Sequence, residues 1–263
     1  MGVRGTQFLL DNVPEARGDA VICADAGSPK VLRIGEKGLL WLRISATGRS
    51  AHAAHVHRGD SAIDKLMIAL NGIAGLRGAA VESREDVRSV IERARSVSEP
   101  LSGAGESEVL NNLTVTFGTV NGGRLPNLIS DSAVATADIR LPLGYTADEA
   151  KRAVNEIVAG IEGVSVDFTR AYDPSWTNPD HPLVKSLGWA CQEILETDPV
   201  VNMRIGASDA RLYRRAGIPT VVCGLTPHNM GAADEYVDVD ELCSLGVMMT
   251  MAAFDFLGAE SIA

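Results

Sequence analysis

The chain has 263 residues, 46% hydrophobic and 22% charged, enough to bury a core in one large domain or two modest ones. Its 24 Lys and Arg stand against 34 Asp and Glu, a formal charge of -10, and no basic cluster interrupts that balance. Nucleic acid and anionic membrane surfaces are therefore excluded as expected partners.

The four cysteines, Cys23, Cys191, Cys223 and Cys243, lie far apart with no Cys-x-x-Cys pair, as reduced thiols of a cytoplasmic protein do. Neither a signal-like segment nor an apolar run of membrane length is expected. The opening Met1-to-Thr6 pattern fits myristoylation and Asn112-Leu-Thr114 fits a glycosylation sequon. Both are short enough to arise by chance.

Taken in order, Phe8, Leu9 and Leu10 read as the end of a helix, and Asp11-to-Pro14 as a turn. Asp19 to Asp25 is an apolar run that predicts a strand buried on both faces, with Asp25 at its carboxyl end. Leu40, Leu42 and Ile44 alternate with Trp41, Arg43 and Ser45, a strand with distinct faces. Ile63, Leu66, Met67, Leu70 and Ile73 recur at helical spacing. Residues 77–107 are mixed and charged, an arm or an exposed helix.

Leu113, Val115 and Phe117 alternate again, and the Asn121-Gly-Gly123 turn leads to a strand over 133–139. Ala150 to Ile161 is an amphipathic helix, and Val164, Val166 and Phe168 a closing strand. The order strand, helix, strand, strand, helix, strand predicts a ferredoxin-like α+β unit. A helix over 183–195, a short strand at Pro199-Val-Val201 and a turn at Gly206-Ala-Ser-Asp209 follow. Next come a short helix stopped by Gly217, a buried strand Thr220-to-Cys223 and a final helix over 242–256. Residues 1–37 and 173–263 thus read as parts of one α/β domain with 38–172 inserted between them.

Loops beyond the carboxyl ends of strands in open α/β sheets carry ligands, which singles out Asp25 and the loop holding His228, Asp234 and Glu235. Either group can instead close a turn or precede a helix. The segment Gly48-to-His57 holds three of the five histidines. His55 and His57 share a face if extended, as metal ligands do, or line a solvated loop. His52 can act as a proton donor or oxyanion partner. Arg140 suits bidentate carboxylate binding or an exposed ion pair.

In this order the motifs Asp19-to-Asp25, Gly35-Glu-Lys-Gly38, Gly48-Arg-Ser-Ala-His52, Pro126-Asn-Leu-Ile129 with Asp138-Ile-Arg140, Gly206-Ala-Ser-Asp209 and Asp234-Glu-Tyr-Val237 span nearly the whole chain. The set resembles the dinuclear zinc hydrolases that include acetylornithine deacetylase, succinyl-diaminopimelate desuccinylase, aminoacylase and carboxypeptidase G. The resemblance implies a three-layer, mainly parallel catalytic domain, present in part, with an inserted ferredoxin-like lid that forms a homodimer. It implies Asp25 and His228 as terminal ligands of two zinc ions, with cobalt or manganese as substitutes. It implies His52 as the oxyanion donor in the partner subunit's site, and Asn127, Arg140 and Ser208 as holders of the substrate. The implied reaction is hydrolysis of an amide or peptide bond in an N-acyl amino acid or small peptide by zinc-activated water.

Two departures qualify this. In much of the family the last zinc histidine occupies the position of Gly231, which leaves His228 as the imidazole of that loop. The family's first zinc histidine, bridging aspartate and paired glutamates have no counterpart. The expectation is a carboxyl-terminal portion, inactive alone; the alternative is a non-catalytic dimeric binding or regulatory module derived from that family.

Overall fold

The computed structural model describes residues 3–79, 81 and 84–260, the last two without their side chains. Met1 and Gly2 of the myristoylation-like pattern, and residues 80, 82 and 83 of the charged stretch, lie outside them. In chain order the elements are α1 (Arg4–Asn12), β1 (Val21–Cys23), β2 (Val31–Glu36), β3 (Gly38–Thr47), α2 (Ala62–Ala74), α3 (Glu85–Ser102) and α4 (Glu106–Asn111). There follow β4 (Thr114–Gly122), β5 (Ser132–Leu141), α5 (Ala147–Ala159), β6 (Val164–Tyr172), β7 (Ser175–Trp176), α6 (Pro182–Leu195), β8 (Val200–Arg204), α7 (Ala210–Arg215), β9 (Thr220–Val222) and α8 (Val239–Glu260). The chain divides into two compact units, Met1–Lys37 with Glu85–Leu110 and Ser175–Ala263, and Gly38–Arg84 with Asn111–Pro174.

The first unit is an α/β structure on a five-stranded sheet. β1 pairs parallel with β9 and β2 parallel with β8, while β2 meets β7 and β9 antiparallel. The sheet is therefore mixed, with its longer pairings parallel as expected. The antiparallel pairings come from β7, two residues long, and the single Arg33–Val222 pairing. Every residue of β2 and β9 is buried, so both faces of the sheet centre are covered. β1, expected to be buried on both faces, is a half-buried edge strand because β9 is its one partner among the described residues.

Residues 85–110, expected within the inserted segment, pack with this first unit. The α3 face Val87, Val90, Ile91 and Ala94 is buried, and the helix lies against β8 and β2. β2 had no counterpart in the sequence reading, because Arg33 and Glu36 break its apolar run; both are buried in ion pairs. The segment Val239–Gly258 is long and apolar enough, by length and composition, to cross a membrane, contrary to the expectation that no such run exists. One of its faces, Leu245, Met248, Ala252 and Phe256, is buried, and α8 packs on α6. There Ser186 of α6 donates to Asp255 Oδ2 at 2.6 Å.

The second unit has the strand order β4-β5-β3-β6, with every neighbouring pair antiparallel. Its element order β3, α2, β4, β5, α5, β6 is the split βαβ arrangement read from the periodicities. Leu40, Leu42 and Ile44 of β3 and Ala133, Ala135, Ala137 and Ile139 of β5 face one way. They form one core with Leu66, Ala69 and Ile73 of α2 and Ala150, Val154 and Val158 of α5. Burying each such Leu or Ile contributes about 2 kcal/mol. The α5 start is locked by a capping box, in which the Thr146 hydroxyl accepts from Glu149 N and the Glu149 carboxylate accepts from Thr146 N.

Candidate functional site

Because β1 and β9 run parallel with Cys23 opposite Val222, the loops leaving their carboxyl ends start side by side. The pairing continues past the strands: Cys223 N–H donates to Cys23 O at 3.0 Å, and Gly27 N–H to Leu225 O at 2.9 Å. Gly224 permits this approach, since a Cβ there would collide with the Asp25 carbonyl. Asp25 is thus carried on one loop and His228 on its neighbour. The Asp25 carboxylate accepts Ala26 N–H at 2.7 Å and lies 3.1 Å from Arg204 Nη1.

The His228 loop is tied down at both ends. Glu241 of α8 accepts the Thr226 hydroxyl at 3.1 Å, and His228 and Tyr236 exchange backbone hydrogen bonds of 3.1 and 3.2 Å. The imidazole stacks on the Tyr236 ring, centroids 4.6 Å apart and planes 12° from parallel. Between them the chain turns through positive φ at Asn229, Gly231 and Asp234. Gly231 has φ +72 with open space where a Cβ would stand, so a histidine at this position would be strained in its backbone on this loop path.

A cleft of about 440 Å³ opens beside these loops, lined by Ala26, Ser28, Arg204, Gly206, Thr226 and the Arg33–Glu106 pair, among others. Arg33 Nη1 lies 2.9 Å from Glu106 Oε1 with both side chains buried. Its guanidinium also donates to Met203 O and Ser102 Oγ, each at 2.7 Å. Burial pushes the Arg33 proton affinity down, against the pull of Glu106. Deeper still, Glu36 and Arg214 pair with side chains 1% and 2% exposed. Burial pushes Arg214 down to about 10, opposed by Glu36.

Ser208 serves that interior pair. Its N–H donates to Glu36 Oε2 at 2.9 Å, its hydroxyl donates to Glu36 Oε1, and its Oγ accepts from Ala210 N at 3.3 Å at the start of α7. Asp209, at the end of the same turn, accepts the Thr6 hydroxyl of α1 at 2.7 Å. Sequence reasoning missed Arg33, Glu36, Arg204 and Arg214. The available signal was position: Glu36 sits inside Gly35-to-Gly38, and Arg204 immediately precedes the Gly206 turn.

In the second unit the β3–β5 pairing runs on beyond the strands to Ile129 N–Ala51 O and Ala53 N–Asn127 O, both 2.9 Å. It places His52, paired with Leu128, beside Asn127 on an exposed loop. His52 Nδ1 accepts from Ala54 N at 3.2 Å, which leaves the neutral ring its proton on Nε2. Arg140 sits at the opposite end of β5. From Ser132 to Arg140 the strand spans roughly 26 Å, so Asn127 and Arg140 of one protomer are not neighbours. Arg140 forks onto Asp138 Oδ2 at 3.1 and 2.8 Å. His55 and His57 lie in the 3-10 segment Ala53–Arg58, which kinks at His55, rather than in an extended run, with ring centroids 5.9 Å apart.

Among the described residues, no three His, Cys, Asp or Glu side chains converge as a metal-binding group. Asp25 faces a guanidinium and His228 lies against a tyrosine ring. A zinc site takes three or four protein donors, so the residues present do not fit a metal pair by themselves.

Comparisons with known proteins agree with this architecture. Residues 34–163 match the M20 peptidase dimerisation domain. A succinyl-diaminopimelate desuccinylase of Paracoccus denitrificans is 28% identical over 256 residues, covering 93% of this chain and 60% of that protein. A probable carboxypeptidase of Aspergillus niger is 33% identical over 160 residues, covering 58% of this chain and 34% of that one. Among solved structures, an M20 family metallo-carboxypeptidase of Sulfolobus solfataricus superposes with a TM-score of 0.73 at 16% identity, covering 95% of this chain and 67% of that one. The chain spans about three fifths of the length of the desuccinylase it matches.

Proposed function

From the match of residues 34–163 to the M20 peptidase dimerisation domain we propose that the chain is part of a zinc-dependent hydrolase of N-acyl amino acids or small peptides, inactive by itself. The observation that carries this reading is the pairing of β1 with β9, which sets the Asp25 and His228 loops side by side beside one cleft. Asp25 and His228 are the residues here that would face a metal, and cobalt or manganese suits such an O/N pair as zinc does. Their donor set is incomplete, so the reaction is assigned to the family and not to steps in this chain.

What its own residues offer is substrate handling. The Nε2–H of His52 is free of the Ala54 contact and suits a carbonyl oxygen that gains charge. Arg140 presents a fork suited to a carboxylate, in competition with Asp138. Since Asn127 and His52 lie at one end of the sheet and Arg140 at the other, one substrate can meet all three only if two protomers contribute. That agrees with a homodimer formed through the second unit, residues 38–172 in the sequence reading less the α3 segment. Reduced thiols suit a cytoplasmic setting, and all four cysteines are unbridged.

The test is to titrate the purified chain with a panel of N-acyl amino acids and dipeptides, and to assay turnover with added zinc, cobalt or manganese. Binding without turnover is expected. Chelator-sensitive hydrolysis would refute the incomplete centre, and no binding of any acyl amino acid would refute the substrate class. The contact of Asp25 with Arg204 favours a second reading, a non-catalytic dimeric binding module. That reading predicts a dimer free of metal by elemental analysis after growth with zinc.

A further inference from the structure

Three arginines cluster around β2, the carboxyl end of β8 and the start of β9, and two of them are enclosed, with side chains 7% and 2% exposed. Arg33 meets Glu106, Met203 O and Ser102 Oγ, and Arg214 meets Glu36, Thr220 O and Arg33 O. Arg204 differs. Its Nη1 is buried and lies 3.1 Å from Asp25 Oδ2, yet makes no aligned hydrogen bond. The side chain is 18% exposed and lines the cleft of about 440 Å³.

Around it the cleft presents hydroxyls of Ser28, Ser102 and Thr226 and the backbone of Gly27 and Gly206, which lack side chains that would fend off a ligand. Burial is the main cause that lowers the proton affinity of Arg33 and Arg214, and the Arg204 charge adds to it. Its counter-charge, Asp25, has a side chain 39% exposed and can turn to water.

We infer that this cleft binds a small organic carboxylate on the Arg204 guanidinium, at the place where the family resemblance expects a cation. A planar fork with unused donors matches a carboxylate bidentately. Asp25 then acts as the internal competitor, occupying Arg204 until a ligand carboxylate replaces it. The inference deepens the proposed function by naming the substrate class, an amide carrying a carboxylate besides the one assigned to Asn127 and Arg140.

The experiment is calorimetric titration of the full chain with succinate in chelator-containing buffer, with neutral succinamide as the control. Succinate is expected to bind, and succinamide at least about tenfold more weakly. Asp25→Asn should tighten succinate binding several-fold by removing the competitor. Arg204→Gln should abolish it, and Arg204→Lys, which keeps the charge without the fork, should weaken it by about tenfold and serves if the Gln variant does not fold. No heat from the folded wild type, equal affinity in the Lys variant, or binding only after zinc is added would each overturn the inference. None of these outcomes depends on hydrolysis or on the Asn127 end of the second unit, so a failure here is distinct from a failure of the hydrolase reading.

Discussion

Arg214 Nη1 lies 3.6 Å from Glu36 Oε1 in the interior of the first unit, joining α7 to β2. The same Glu36 carboxylate takes the Ser208 N–H and hydroxyl, and Arg214 Nε donates to Thr220 O at 3.0 Å. One buried pair therefore fixes the Gly206-to-Asp209 turn, the start of α7 and the start of β9. Glu36→Gln leaves a buried guanidinium uncompensated and should cost about 3–5 kcal/mol. The measurement is the shift of the urea midpoint for the first unit. Pairing it with Arg214→Met should recover a large part of the loss, and no recovery would mean that the pair is not the dominant interaction there.

Gly224 should tolerate no side chain. A Cβ would meet the Asp25 carbonyl and the backbone of Ala24, neither of which is a flexible group that can swing away. Gly224→Ala should destabilise by about 1–3 kcal/mol through overpacking and push the β1 loop off β9. Thermal melts read the first effect. Loss of hydrogen-exchange protection at Gly27, whose N–H bonds Leu225 O, reads the second.

The thiols should react in an order set by burial. Burial pushes Cys191 up to about 11 and Cys223 up to about 12, and raises Cys23, while Cys243 is exposed. Alkylation of the native chain at pH 8 should label Cys243 first and leave Cys191 and Cys223 until unfolding, as mass spectrometry of the peptides would show. The raised values also carry a stability term. Above about pH 9 the unfolded thiols lose protons that the folded ones keep, so the unfolded state binds fewer protons and stability falls with rising pH. The term is fully present below about pH 9 and is lost as pH rises through 11 to 12. Cys191→Ala with Cys223→Ala should flatten that part of the alkaline limb.

Phe254 on α8 is 83% exposed, with Val247 and Leu257 also exposed on that helix. An apolar surface of this kind promotes association. Phe254→Ser should lower light scattering at high concentration with a melting temperature changed by no more than a degree or so, since the buried face of α8 is untouched. A large drop in melting temperature would show that the ring is packed in solution.

Asn127→Ala and Arg140→Ala should each abolish binding of N-acyl amino acids if the two residues serve one ligand across a two-fold dimer. Unfolding and refolding the two variants together should return about a quarter of the sites, because half the dimers are mixed and each restores one site. Titration after mixing checks this; no recovery would remove one or both residues from the ligand site.

The second unit was legible strand by strand. Its sheet has one covered face, so Leu40, Leu42 and Ile44 alternate with polar neighbours and α2 and α5 carry clear stripes. In the first unit a strand such as β9 was legible because its buried run is purely apolar, and α6 and α8 were legible from their apolar stripes. β2 stayed hidden because two charged side chains sit in a fully buried strand, and a sequence does not show that Glu106 and Arg214, far along the chain, neutralise them. α3 was read as an arm or an exposed helix because its apolar stripe has no partner nearby in sequence; β8, which it covers, begins almost a hundred residues after its last turn.

The candidate site divides along the same line. By itself the sequence determined the local alternations, the turns at Asn121-to-Gly123 and Gly206-to-Asp209, the family resemblance and the shortage of metal donors, since each is a property of residue type and short-range spacing. Only the tertiary structure decided that Asp25 pairs with Arg204, that Ser208 is held inward by Glu36, that His228 lies on Tyr236, and that Asn127 and Arg140 stand at opposite ends of β5. Those are relations between groups brought together by strand pairing and burial, and the energy of a charge depends on which partner and how much water surround it.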